Sequence, residues 1–157
     1  MRPLGIVIFV LVGLGLQALL GALPGGGGAF DPLLVVAVLA ALPGKEGRAI
    51  AGGLVSGGMK DAWLARWYGQ YSLSHLVIAF VLGRVAGAID LLQTPPVLVC
   101  LALATFADRG LQLLLASMFG RPGGFPGPVA LAVAVVGNLV LGWILLLLAR
   151  RWGWLEP

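Results

Sequence analysis

Charge is scarce in this chain. Its 157 residues include ten Lys or Arg and six Asp or Glu, about one charged residue in ten. A soluble domain of this size needs far more polar surface than that, so a water-exposed globule is excluded. One cysteine, Cys100, cannot form an internal disulfide, and it sits in an apolar run without metal-ligand company, as a small packing residue. One histidine, His75, stands alone in the sequence, and a lone imidazole does not make a zinc motif. Also missing are a nucleophile elbow, an HExxH pair, a P-loop and the paired aspartate motifs of an intramembrane protease. The glycine run 25–28 lacks the Lys-Ser/Thr that would let it cradle phosphate. These absences argue against an enzyme and imply no cofactor.

What is present is apolar. Hydrophobic residues make up 60% of the chain, and the mean hydropathy is +1.04. Charge-poor stretches recur at residues 4–23, 30–42, 48–64, 72–89, 95–119 and 128–148, divided by short turns rich in Gly and Pro. A hydrocarbon core of about 30 Å takes roughly 20 helical residues to cross. The chain therefore reads as one integral membrane domain over residues 1–157, all-α, with six transmembrane helices in a compact bundle. Stretch 4–23 is long for a signal-peptide core and reads as a first span. Stretch 30–42 is short for a crossing, so it and 48–64 have a re-entrant pair as their alternative.

The net charge of +4 is a topology signal rather than a nucleic-acid stripe. With six crossings, Arg2, Lys45, Arg48, Arg84, Arg150 and Arg151 share one side, and Lys60, Arg66 and Arg121 the other. Both termini are then cytoplasmic. Trp63, Trp67, Tyr68 and Tyr71, interleaved with Arg66, form an interfacial belt on the outer side that can double as a docking platform. Trp152 and Trp154, beside Arg150-Arg151, form an interfacial anchor.

Small and polar residues recur at every fourth position. The stripes are Gly13-Gln17-Gly21, Ala49-Gly53-Gly57-Asp61, Ala79-Gly83-Gly87, Ala104-Asp108-Gln112-Ala116-Gly120 and Ala130-Ala134-Asn138-Gly142. In lipid, close backbone approach and interhelical hydrogen bonds hold helices together, and such stripes supply both. An aspartate at mid-bilayer costs roughly 2.5–3.5 kcal/mol, so Asp61 and Asp108 need partners. Lys60 and Arg109 adjoin them in sequence but point about 100° away on a helix. The expected pairs are Asp108 with Arg84 and Asp61 with Arg109, with a helix-end interfacial place as the alternative for Asp61 and a proton relay as that for Asp108.

Asp31-Pro32 opens the short apolar run to Pro43. After a charged turn come Gly53, Gly57 and Asp61, then Gly69, then the apolar run Leu76–Gly83. This order resembles the rod-shape-determining MreD family of small six-span bacterial proteins, with Asp108 matching an acidic residue of the fifth span. The resemblance implies a non-catalytic adaptor in the bacterial inner membrane. Its partners would be the bitopic protein MreC and, indirectly, MreB filaments, the RodA glycosyltransferase and a class B penicillin-binding protein. It also implies a fold similar to the S-components of energy-coupling-factor transporters, which makes a vitamin-binding transporter subunit the alternative function. Lys60 departs from the expected pattern, where an apolar residue would be less surprising.

Overall fold

The computed structural model describes residues 3–21, 30–64, 69–89, 91–120 and 124–153. The described chain is all helical: α1 (Pro3–Gly21), α2 (Pro32–Ala41), α3 (Glu46–Leu64), α4 (Gln70–Ala88), α5 (Thr94–Met118) and α6 (Pro128–Arg151). Arg66, Trp67 and Tyr68, and with them half of the expected aromatic belt, lie outside the described residues, as do Arg2, Arg121 and Trp154. Trp63, at the end of α3, is about half exposed.

Among the described residues three helices, α4, α5 and α6, are long and apolar enough to cross a membrane. Their outward faces carry large apolar side chains such as Val81, Val99, Leu103 and Val136, each more than half exposed. Asp31, Lys60, Asp61, His75, Asp108 and Asn138 are buried instead. Apolar outside and polar inside is the distribution that lipid rather than water selects.

The short helix α2 sits at the centre. Pro32 at its first turn fixes φ where no amide donor is needed, and all ten of its residues are buried. It packs against every other helix of the bundle. At 1.5 Å per residue it is about 15 Å long, half a hydrocarbon core. Its entirely apolar surface therefore meets other helices on all sides. Gly44 ends the turn after it with φ +68 and lies against the backbone of Ala86 and Gly87, where a Cβ would stand 2.9 Å from their atoms.

α3 runs antiparallel between α2 and α4, and two adjacent stripes explain how. Gly52 and Lys60 turn toward α2, with Gly52 seated on Ala40 and Lys60 on Asp31. Ala49, Gly53, Gly57 and Asp61 turn toward α4: a Cβ on Gly53 would meet the His75 carbonyl oxygen at 2.7 Å, and one on Gly57 would strike Tyr71 and Ser72. Ala49 in turn fills the space left by Gly83. The inner ends of the other stripes behave alike: Gly13 faces Val36 and Leu33, and Gly142 accepts the side chain of Leu101. The outer ends, Gly87, Gly120 and Ala130, are exposed.

Lys60 corrects the charge count. It is buried and ion-paired with Asp31, so it marks no loop. Arg84 also departs from expectation: it reaches Glu46 at 2.8 Å on the exposed side of the bundle, tying the end of α4 to the start of α3, and does not meet Asp108. At the other seam, Arg150 donates to the Thr94 hydroxyl at 2.9 Å and to the Leu92 carbonyl, joining α6 to the start of α5.

Because backbone atoms rather than flexible side-chain tips crowd Gly53 and Gly57, leucine at either site must part α3 from α4. Gly57→Leu is expected to lower the melting temperature in detergent by roughly 5 °C or more. Gly110→Ala, where nothing lies within 4 Å, serves as the neutral control.

Candidate functional site: a buried polar cluster at the start of α2

Asp31 is the N-cap of α2. Its φ of −129 is non-helical, and its Oδ1 accepts from the Leu34 amide at 3.1 Å. A carboxylate here satisfies an orphan amide and meets the positive end of the helix dipole. Its other oxygen, Oδ2, receives the ammonium of Lys60. Its backbone amide donates to Asn138 Oδ1 of α6 at 2.8 Å, and Asn138 Nδ2 donates to Thr105 Oγ1 of α5 at 3.0 Å. The Lys60 ammonium also lies 4.0 Å from the centre of the Tyr71 ring, a cation–π contact.

His75 lies fully buried in α4 beside this pair. Its Nδ1 is 3.1 Å from Ser56 Oγ of α3, which also donates to the Gly53 carbonyl at 3.2 Å. Its Nε2 faces Asp31 Oδ2 at 3.6 Å and Asp108 Oδ1 at 3.9 Å and has no hydrogen-bond partner. Asp108 accepts from Ser74 Oγ at 2.6 Å and from Gln112 Nε2 at 3.4 Å. The histidine that stands alone in the sequence is thus flanked by two carboxylates in space. Asp31, His75 and Asp108 can each turn one ligand atom to within 4.8 Å of the others.

Asp61 forms a separate arrangement at the turn between α3 and α4. Its carboxylate accepts from the backbone amides of Gly69 (3.0 Å), Tyr71 (2.9 Å) and Ser72 (2.9 Å), and from the Ser72 hydroxyl at 2.6 Å. Gly69 holds φ +102, a value that suits glycine and brings its amide round to Asp61. Asp61 therefore caps the next helix in space, a role that a search for cationic partners such as Arg109 overlooks.

The sequence reading singles out Gly53, Gly57, Asp61 and Gly69, and the structure brings them into one α3–α4 clasp. It does not foresee the cluster of Asp31, Lys60, Ser56, Ser74 and His75. A signal for it was present, since Ser56 and Lys60 repeat at helical spacing one position away from the glycine stripe.

No protein family, curated protein or solved structure matches the chain.

Breaking a buried pair by removing one partner costs about 3–5 kcal/mol, because the other charge stays buried. Asp31→Asn alone should therefore destabilise the bundle strongly, whereas Asp31→Asn with Lys60→Met should recover part of the loss, as read by thermal melts in detergent. Asp61→Ala removes charge-assisted bonds worth about 1.5–3 kcal/mol each in favourable cases. It should loosen the start of α4, read as faster amide hydrogen exchange at Gly69, Tyr71 and Ser72 than in the parent.

Proposed function

We propose that this chain is a non-catalytic, multi-pass adaptor of the bacterial elongation machinery, similar to MreD. In this reading its six helices form one multi-pass bundle in the inner membrane, with both termini cytoplasmic. It acts with an MreC-like bitopic protein to link MreB filaments to RodA and its class B penicillin-binding partner, and so supports rod shape.

The observation that carries the reading is how the interior polar groups are used. Lys60 is spent on Asp31, Asn138 on the Asp31 amide and Thr105, Ser74 on Asp108, and Asp61 on the start of α4. These bonds lock helix to helix rather than line a binding chamber. The residues that carry the family resemblance, Gly53, Gly57, Asp61 and Gly69, do one joint job in that locking. The alternative, a vitamin-binding transporter subunit, calls for a cavity with converging polar groups. A groove of about 620 Å³ does open beside α1 and α6, but its walls are apolar, built from residues such as Leu16, Phe30, Val136, Val140 and Ile144. That lining suits acyl chains or an apolar helix better than a vitamin.

Co-expression with the MreC-like protein of the same organism, followed by detergent extraction and size exclusion, tests the adaptor reading. A stoichiometric complex is expected. Separate elution of the two proteins, together with binding of a vitamin by this chain alone, would move the assignment to the transporter class.

A further inference from the structure

The geometry points to a buried site for one divalent transition-metal ion of the zinc type, held by Asp31, His75 and Asp108 inside the bundle. Two independent features meet there. The first is the donor set: two carboxylate oxygens stand 3.6 and 3.9 Å from the same imidazole nitrogen, and the three donors come from the start of α2, from α4 and from α5. With bonds of about 2.0–2.2 Å, tetrahedral ligand atoms stand roughly 3.3–3.6 Å apart, so small side-chain adjustments close the site. The second is His75 Nε2 itself, a fully buried polar atom without a hydrogen-bond partner, aimed between the two carboxylates.

The surroundings of the donors fit ligation. When Ser56 gives its hydroxyl proton to the Gly53 carbonyl, the imidazole donates from Nδ1 to Ser56 Oγ. Nε2 then presents its lone pair to the space between two anions, an arrangement that a metal ion relieves. Metal-bound histidines are oriented in this way, by a hydrogen bond from the other ring nitrogen. The carboxylates are fixed similarly, Asp31 by the Leu34 amide and Asp108 by Ser74 and Gln112. An imidazole in the set favours zinc-class ions over magnesium or calcium, which prefer all-oxygen shells.

Lys60 makes the site conditional. Its ammonium already neutralises Asp31 Oδ2, so an entering ion competes with it for that oxygen. The displaced ammonium keeps a second support in the Tyr71 ring beside it. Lysine and metal are thus alternative counter-ions for one carboxylate. Removing the lysine should strengthen metal binding, the reverse of what a merely structural salt bridge would give.

The inference does not depend on the adaptor reading, and its test needs no partner. The full chain, with any affinity tag removed, is stripped with chelator in detergent, exposed to zinc chloride and freed of excess ion by gel filtration. Bound metal is counted by mass spectrometry, and the melting temperature is recorded with and without zinc. About one zinc per chain is expected for the parent, with uptake lost in His75→Gln and Asp108→Asn. Lys60→Met should bind zinc on the order of tenfold more tightly than the parent, because its unpaired Asp31 has no competing ammonium, and zinc should raise its melting temperature more. Absence of zinc from the folded parent overturns the site, a result that does not rely on any variant folding. Equal uptake by the parent and by folded His75→Gln overturns it as well, and a weaker zinc response in Lys60→Met overturns the competition.

Discussion

A helix that starts inside a membrane bundle brings unpaired amides with it, and the carboxylate of Asp31 is what makes this one tolerable. α2 begins level with the middle of α5 and α6, where its amide groups have no water to bond. Each unsatisfied group there would cost several kcal/mol. Asp31 caps the Leu34 amide and places negative charge at the positive end of the helix. That solution creates a new demand, since a buried carboxylate needs a counter-charge, and Lys60 supplies it from α3. Asn138 then takes the Asp31 amide, and Thr105 takes Asn138. The remaining helices are registered on this point. Sliding α3 or α6 by one turn, about 5.4 Å, would break the Asp31 contacts that the slid helix makes.

The same register explains the composition of α3. A helix wedged between two others has two inward faces, and adjacent residues on it point about 100° apart. One face must meet α2 and provide Lys60, while the other must meet the backbone of α4 closely. Neither face has room for large side chains, which is why Gly52-Gly53 and Ser56-Gly57 occur as pairs. Lys60-Asp61 is the same pairing carried to the polar end of the helix: lysine serves α2 and aspartate serves α4. Two neighbouring charges that look like a local couple therefore act on different helices.

Much of the fold was legible because its signals are local. The six apolar stretches, the Asp31-Pro32 start, the charged turn after Pro43 and the inward stripes all follow from local pattern. The site was not, because its bonds join distant residues: Lys60 lies 29 positions from Asp31, and Asn138 lies 107. Periodicity says that a residue faces inward but not what it meets there. Asp108 was rightly seen as costly to bury, yet Ser74 answers it rather than Arg84. Lys60 misled the charge count because a lysine near a helix end usually reaches water, whereas here the buried start of α2 holds it. Asp61 shows a different limit. Its partners are backbone amides, which every residue but proline carries, so side-chain identity gives no clue to them.

This division of labour has a consequence for recognition in the membrane. Helices in lipid gain little from apolar contact alone, since the tails are as apolar as the side chains, and association rests on fit and on polar bonds. In this bundle the polar bonds are committed inside. Two cations at helix ends, Arg84 and Arg150, are engaged with Glu46 and with Thr94 and Leu92. What the described outer faces of α4, α5 and α6 offer is relief: ridges of Val, Leu and Phe. The groove beside α1 and α6, where the Phe30 ring rests on Gly137, offers a hollow. On the adaptor proposal, such a surface would distinguish membrane partners by shape, and a rigid interior would keep that shape. The buried charges of Asp31 and Lys60 would then serve recognition indirectly, by fixing the helices whose outer surfaces the proposed partner reads.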